Sequence, residues 1–173
     1  TTLSFAPIGV PNTAVLILGS LPGRRSLAKQ QYYAQPQNAF WKIMGELFDA
    51  GPDLAYAERI QRLTDRAIAL WDVVASAERP GSLDSSIVEA SVEVNDFYGF
   101  FESHPHIQLV CFNGTKAAKL YECRVLPALN GDFGHIRYER LPSTSPAYAA
   151  MLFEEKLACW SIVKVALENC AYS

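Results

Sequence analysis

The sequence is poor in several features that would each have settled its class. No stretch of its 173 residues approaches the roughly 18 consecutive apolar residues that a membrane-crossing helix needs, so no membrane association is expected. The segment Thr1–Pro11 carries no charged stretch followed by an apolar one, so no secretory leader is expected and a cytoplasmic setting is. Cysteine is scarce. Cys111, Cys123, Cys159 and Cys170 form no CxxC pair and have no histidine at metal-binding spacing, which argues against an iron–sulfur or zinc centre. They read as free thiols of a reducing compartment. The phosphate-binding signatures GxxxxGK[ST] and GxGxxG are absent, and there are no repeats, low-complexity tracts or charge blocks. Positive charge is not in excess: 15 Lys and Arg stand against 18 Asp and Glu, a net charge of −3. This excludes a histone-like protein or a basic tail. It leaves room for a local positive groove, because charge placement rather than total charge makes the field.

What is present is ordinary globular composition, 50% hydrophobic and 19% charged. At this length one domain, residues 1–173, is expected, as a monomer with no metal or organic cofactor. Apolar runs that suit strands buried on both faces alternate with segments of helical period. Ala14–Leu18, Ala67–Val74, Ile107–Phe112 and His135–Leu141 read as strands. Phe40–Phe48, Asp53–Asp65, Ser91 to about Ser103, Thr115 to about Cys123, and Ala149–Glu168 read as helices. Such alternation predicts an α/β class, a three-layer α/β/α fold with a short, mainly parallel four-stranded sheet. Ligands of such sheets bind beyond the carboxyl ends of the strands. That rule selects the loops Gly19–Gln37, Ala75–Ser86, Asn113–Lys116 and Pro142–Ala147. The first is far longer than the usual two to six residues and carries Tyr32, Tyr33, Pro22 and Pro36, with Asn38 immediately after it.

Within these loops the sequence Gly19-Ser-Leu-Pro-Gly23, then Ser26, then Tyr32-Tyr-Ala-Gln-Pro-Gln-Asn-Ala-Phe-Trp41 resembles the first motif of the uracil-DNA glycosylase superfamily. Trp71-Asp-Val-Val-Ala75 with Arg79-Pro-Gly-Ser-Leu-Asp-Ser-Ser-Ile87, Phe112-Asn-Gly-Thr-Lys-Ala117 and Leu141-Pro-Ser-Thr-Ser-Pro-Ala147 resemble the remaining motifs of its hypoxanthine-DNA glycosylase branch. The mismatch-specific G:T/U glycosylases come next in similarity. The resemblance runs from about residue 14 to residue 165. It implies a uracil-DNA glycosylase-like fold and a DNA repair enzyme without cofactor. Such an enzyme flips a deaminated base out of DNA and hydrolyses its N-glycosidic bond, leaving an abasic site. Hypoxanthine is the first expected base and uracil the second. The alternatives are uracil in mismatches, or a binding module of the same fold with weak or lost activity.

By the resemblance, Asn38 is the catalytic residue. An amide is a poor general base, but its carbonyl oxygen can orient water; the same side chain could cap the helix that follows. Leu21 stands where the mismatch-specific branch has a catalytic Asn and uracil-specific relatives an Asp, so this position offers no polar side chain. Gly23 replaces the Tyr with which strict uracil enzymes exclude thymine, opening space for a larger base; alternatively it serves a turn needing positive φ. Tyr33 aligns with the aromatic that stacks on the extruded base, a contact worth about 1–3 kcal/mol. Tyr32, Phe40 and Trp41 are expected in the core.

Asn113 is expected against the base edge. Its amide offers one donor and one acceptor, the complement of O4 and N3–H of uracil and of O6 and N1–H of hypoxanthine; cytosine and adenine reverse the order. Its alternative is a plain Asn-Gly turn. Ser143, Thr144, Ser145 and Tyr148 belong to a loop that resembles the one entering the DNA groove, with Ser143 where many relatives have a catalytic His. Ser26, Arg25 and Lys116, with Arg24, Lys29 and Lys119 nearby, are candidates for phosphate contact. His104, His106 and His135 are expected to be remote. Asp72 is expected near the site, and Asp84 is expected to hold its own loop through turn hydrogen bonds.

Overall fold

The computed structural model describes residues 1–171. In chain order the elements are β1 (Thr2–Leu3), β2 (Val15–Gly19), α1 (Arg24–Lys29), α2 (Phe40–Phe48), α3 (Tyr56–Asp65), β3 (Ile68–Asp72), β4 (Val74–Ala77), β5 (Glu93–Val94), α4 (Phe97–Ser103), β6 (Leu109–Asn113), α5 (Thr115–Leu120), β7 (Arg137–Leu141), α6 (Phe153–Trp160) and α7 (Ile162–Ala171). Four strands form one parallel sheet in the order β3-β2-β6-β7. A smaller antiparallel sheet, β1-β4-β5, lies beside it.

Strand alternation divides the core into two layers. Leu16, Leu18, Ala69, Trp71, Val110 and Phe112 face one way, onto Phe97, Phe100, Phe101 and Tyr121. Val15, Ile17, Ile68, Leu70, Leu109 and Cys111 face the other, onto Phe40, Trp41, Ile43, Met44, Trp160 and Val163. Every residue of β2, β3 and β6 is buried, which is why these strands read as continuous apolar runs. This is the expected α/β/α architecture. Because β3 and β6 flank β2 on opposite sides, chain connections leave β2 in both directions. That reversal opens a crevice at the strands' carboxyl ends.

Several boundaries differ from those the sequence suggests. The segment Ala67–Val74 divides after Asp72, and Val74–Ala77 leaves for the antiparallel sheet. Glu93 and Val94 do not begin a helix: Val94 pairs with Val74 and the Asn95 backbone N–H donates to the Val73 carbonyl at 3.0 Å. The helix starts only at Phe97, where the Asp96 carboxylate accepts the Gly99 N–H at 3.0 Å. Ala149–Glu168 is not one helix; it starts at Phe153 and divides at Ser161. The long first loop contains the short helix α1. Among the described residues, no helix is long and apolar enough to cross a membrane.

Candidate active site at the carboxyl ends of the parallel strands

A cavity of about 620 Å³ opens at the carboxyl ends of the parallel strands, within the size range of small-molecule sites. β2 contributes Gly19 and the following Ser20–Ser26 turn, β3 contributes Asp72, β6 contributes Asn113, and the segment after β7 contributes Ser143–Tyr148. Tyr33 and Asn38 complete it from the first loop. The structure therefore gathers Leu21, Gly23, Arg25, Ser26, Tyr33, Asn38, Asn113, Ser143, Thr144, Ser145 and Tyr148 around one space. Lys116 is not among the lining residues; its ammonium pairs with Glu89 at 2.7 Å.

Asn38 is half-buried on the wall, and its Oδ1 accepts the Phe40 N–H at 2.9 Å. This bond caps the first turn of α2. It leaves a second lone pair on Oδ1 and both amide hydrogens. The position is fixed from across the cavity. The Ala39 N–H donates to the Thr144 carbonyl at 2.9 Å. Thr144, fully buried, is itself gripped by Asn113, whose Nδ2 donates to the Thr144 hydroxyl and whose Oδ1 accepts the Thr144 N–H, both at 2.9 Å. Asn113 thus ties the end of β6 to the segment that positions Asn38. One amide hydrogen and one lone pair of Asn113 remain for any other partner.

The Ser20–Pro22 turn is held by Arg79, a motif residue whose role the sequence does not reveal. Its buried guanidinium donates to the Gly81 carbonyl (3.1 Å), the Leu21 carbonyl (3.3 Å) and the Pro22 carbonyl. Asp84 does not close its own turn through its side chain; it accepts the Ser20 hydroxyl at 2.5 Å and so joins its loop to the end of β2. Gly23 has φ −75°, so no positive φ explains the glycine. A side chain there would meet only Ser82, at ordinary contact distance. Leu21 is buried and lines the cavity with hydrocarbon. Lys156, which no motif marks, is buried and donates to the Tyr148 carbonyl at 2.7 Å, pinning the far end of the Ser143–Tyr148 segment. Ser143 and Ser145 accept backbone N–H groups of Ser145 and Ala147 within that segment, each at 3.2 Å. Ser26 accepts the Ala34 N–H at 3.1 Å, which closes the first loop.

Tyr33 stacks one ring face on Phe40, with centroids 4.0 Å apart. Its hydroxyl oxygen is buried and, like Asp72 Oδ2, has no hydrogen-bond partner among the described residues. Both groups approach Gly19: a Cβ on that residue would lie 2.7 Å from Asp72 Oδ1 and 3.0 Å from the Tyr33 hydroxyl. Burial pushes the Asp72 carboxyl up to about 7, Asp84 adds to the shift, and Arg79 opposes it. Burial, with Asp72 beside it, also raises the Tyr33 phenol, while the Asn113 amide draws it down. Tyr32, Phe40 and Trp41 are core residues, as expected. His104 stacks on Phe100, and none of the three histidines lines the cavity. Among the described residues, no cluster of three or more His, Cys, Asp or Glu could hold a metal ion.

Gly19→Ala is expected to wedge Asp72 and Tyr33 apart. The loss is about 1–3 kcal/mol of stability, with a cavity that no longer closes on a ligand. Thermal unfolding and ligand binding compared with the parent protein check this; an unchanged site would mean that the close approach at Gly19 is incidental.

The α/β/α fold with its four-stranded parallel sheet is that of the uracil-DNA glycosylase-like class, as its likeness to known proteins shows. The solution NMR structure of a Methanosarcina acetivorans protein, provisionally called a uracil DNA glycosylase, superposes with a TM-score of 0.79 at 37% identity, covering 96% of this chain and 98% of that one. The model of the uracil DNA glycosylase superfamily matches residues 6–165. A hypoxanthine DNA glycosylase from M. acetivorans is 43% identical over 129 residues, 69% of this chain and 80% of that protein. One from Methanosarcina barkeri is 37% identical over 138 residues, 73% and 85% of the two chains. The chain belongs to the uracil DNA glycosylase superfamily, in its hypoxanthine-DNA glycosylase branch.

Proposed function

We propose that this chain is a monofunctional DNA glycosylase that extrudes a deaminated base from DNA and hydrolyses its N-glycosidic bond, with hypoxanthine preferred and uracil second. The observation that carries this reading is the placement of the Asn38 amide on the wall of the 620 Å³ cavity, with a lone pair uncommitted after it has capped α2. Water held by Asn38 Oδ1 attacks C1′. The C1′–N bond breaks and its electron pair stays with the base; the water oxygen becomes the C1′ hydroxyl, and the proton that the water sheds ends on the base anion, which leaves as the neutral free base. Tyr33 lines the cavity with its ring stacked on Phe40, a placement that suits stacking on the base, which offsets part of the few kcal/mol that flipping costs. Gly23 leaves the space that a purine requires.

Arg25, Ser143 and Ser145 line the cavity and are assigned to phosphates, so affinity falls with salt; Thr144, expected beside them, is instead buried with its hydroxyl and N–H bonded to Asn113 and takes no such part. Lys116, paired with Glu89, is assigned at most a peripheral part. Strand cleavage through a Schiff base is not expected, because no lysine lines the cavity.

The test is a panel of duplexes carrying hypoxanthine, uracil, xanthine or ethenocytosine, treated with alkali after incubation. Strand breaks that appear only after alkali, first with hypoxanthine, support the reading. DNA binding without abasic product on any duplex leaves only a binding module of this fold. Leu21 and Ser143 favour that outcome, since by the resemblance the mismatch-specific and uracil-specific branches carry a catalytic Asn or Asp at the first position and many superfamily members a catalytic His at the second.

A further inference from the structure

We infer that Asp72 holds the extruded base by its polar edge, its carboxyl presenting one O–H to the base carbonyl oxygen and its other oxygen to the neighbouring ring N–H. This rests on the glycosylase reading and assigns a contact within that site. Asn113 has the matching donor and acceptor, but each amide end already bonds Thr144, so one hydrogen and one lone pair remain and the amide's orientation is set by Thr144. Asp72 is the reverse case. It is buried, it lines the cavity at the end of β3, and its Oδ2 finds no partner among the described residues. The Tyr33 hydroxyl beside it is likewise buried and makes no hydrogen bond of normal geometry among the described residues, although the Asn113 amide acts on it. Two orphaned polar atoms in one buried corner are costly unless a ligand completes them, and the edge of a hydroxypurine or uracil does so.

The protonation state follows from the surroundings. Asp72 is faced by Asp84 and Arg79 from the loop after β4, by Tyr33 and Tyr32 from the first loop, and by Gly19, without a side chain, from β2. No ammonium or guanidinium forms an ion pair with it among the described residues. Burial and the Asp84 charge outweigh Arg79 and keep the neutral acid populated up to about pH 7. A carboxylate would set a second acceptor against the base carbonyl, whereas the acid donates to the oxygen on which the departing base gathers negative charge. A neutral carboxyl can carry its proton on either oxygen, so rejection of adenine and cytosine falls to the rest of the cavity. Asp72 is assigned holding and charge stabilisation.

The experiment compares the parent, Asp72→Asn and Asp72→Ala in single-turnover release of hypoxanthine, and in binding to a duplex whose 2′-fluoro-deoxyinosine resists cleavage. Both are followed from below to above about pH 7. An amide reproduces the neutral acid and does not titrate. The parent should therefore lose rate and affinity about tenfold per pH unit above this value. Asp72→Asn should stay flat across the range, within about tenfold of the parent's low-pH rate, and Asp72→Ala should lose about 100-fold or more throughout.

The variant's folding provides a control. The folded state binds the Asp72 proton more tightly than the unfolded chain does. The parent therefore loses stability as pH rises from the ordinary carboxylate range to about 7. Asp72→Asn should unfold no earlier than the parent at alkaline pH.

If Asp72→Asn is as inactive as Asp72→Ala while folded, Asp72 exchanges protons in the reaction and the inference is overturned. A variant that keeps the parent's pH profile overturns it as well. If the parent releases no base at any pH, the glycosylase reading fails, and the analogue decides separately. Parent affinity that falls above about pH 7, flattened by Asp72→Asn, sustains the edge contact; pH-independent affinity removes it.

Discussion

Asn38→Ala is expected to lower the single-turnover rate of base release by about 10²–10³-fold while leaving affinity for substrate DNA close to that of the parent. The magnitude is that of losing one oriented polar group from a pre-organised site. The affinity is preserved because Asn38 is one polar group on a wall of the cavity and is assigned to water rather than to DNA phosphates. The substitution has a structural cost that must be separated from the chemical one. Asn38 Oδ1 caps the Phe40 N–H at 2.9 Å, and losing a capping side chain destabilises by about 1 kcal/mol. Asn38→Ser retains a capping oxygen but offers no amide to the cavity. Stability restored by serine with the rate still depressed assigns the rate to water positioning. Rate and stability recovering together would reduce Asn38 to a helix cap, and full activity in the alanine variant would remove it from the reaction.

Arg79→Ala is expected to show the largest loss of stability among single substitutions near the cavity, about 3 kcal/mol or more. The guanidinium is buried and donates to three main-chain carbonyls, those of Gly81, Leu21 and Pro22. Its removal leaves the Leu21 and Pro22 carbonyls without these donors and opens a void beneath the turn. Each hydrogen bond from a charged donor contributes about 1.5–3 kcal/mol, and the void adds to that cost. The Ser20–Pro22 turn should loosen and base release should fall with it. Arg79→Lys should recover little, because an ammonium cannot span the three acceptors that the planar fork reaches. Denaturant unfolding of the three proteins, with activity measured in parallel, checks this. A lysine variant as stable as the parent would show that the charge alone matters.

Much of this was legible in the sequence, and the reasons are physical. Val15–Gly19, Ile68–Asp72 and Leu109–Asn113 are buried on both faces, so each leaves an uninterrupted apolar run ending in a small or polar residue at the cavity. The rule that places ligands at carboxyl ends then gathers the same loops that the structure gathers. Glu93–Val94 falls in the first turn of the helix expected from Ser91, because its pairing with Val74 and Ser76 is non-local and leaves no local period. The helix expected from Ala149 to Glu168 carried a helical pattern that does not reveal the division at Ser161.

The motif residues were found, but their partners were not. The sequence identifies Asn113 as a donor and acceptor pair; that both ends are committed to Thr144 depends on a contact 31 positions away in the chain. Arg79 and Lys156 carry no local sign of burial, since arginine and lysine are normally exposed. Asp72 was visible as a carboxylate beside the site. That it forms no ion pair among the described residues, with Arg79 acting on it only at a distance, is a property of the folded neighbourhood alone.

The central claim is that a base enters this cavity and leaves as a free base. The most direct measurement is mass-spectrometric detection of products after single-turnover incubation of the protein with a duplex containing one deoxyinosine. The account predicts free hypoxanthine and an intact strand bearing one abasic site, in equal amounts, with both products depressed together by Asn38→Ala. A duplex recovered unchanged at protein concentrations that saturate binding would contradict it.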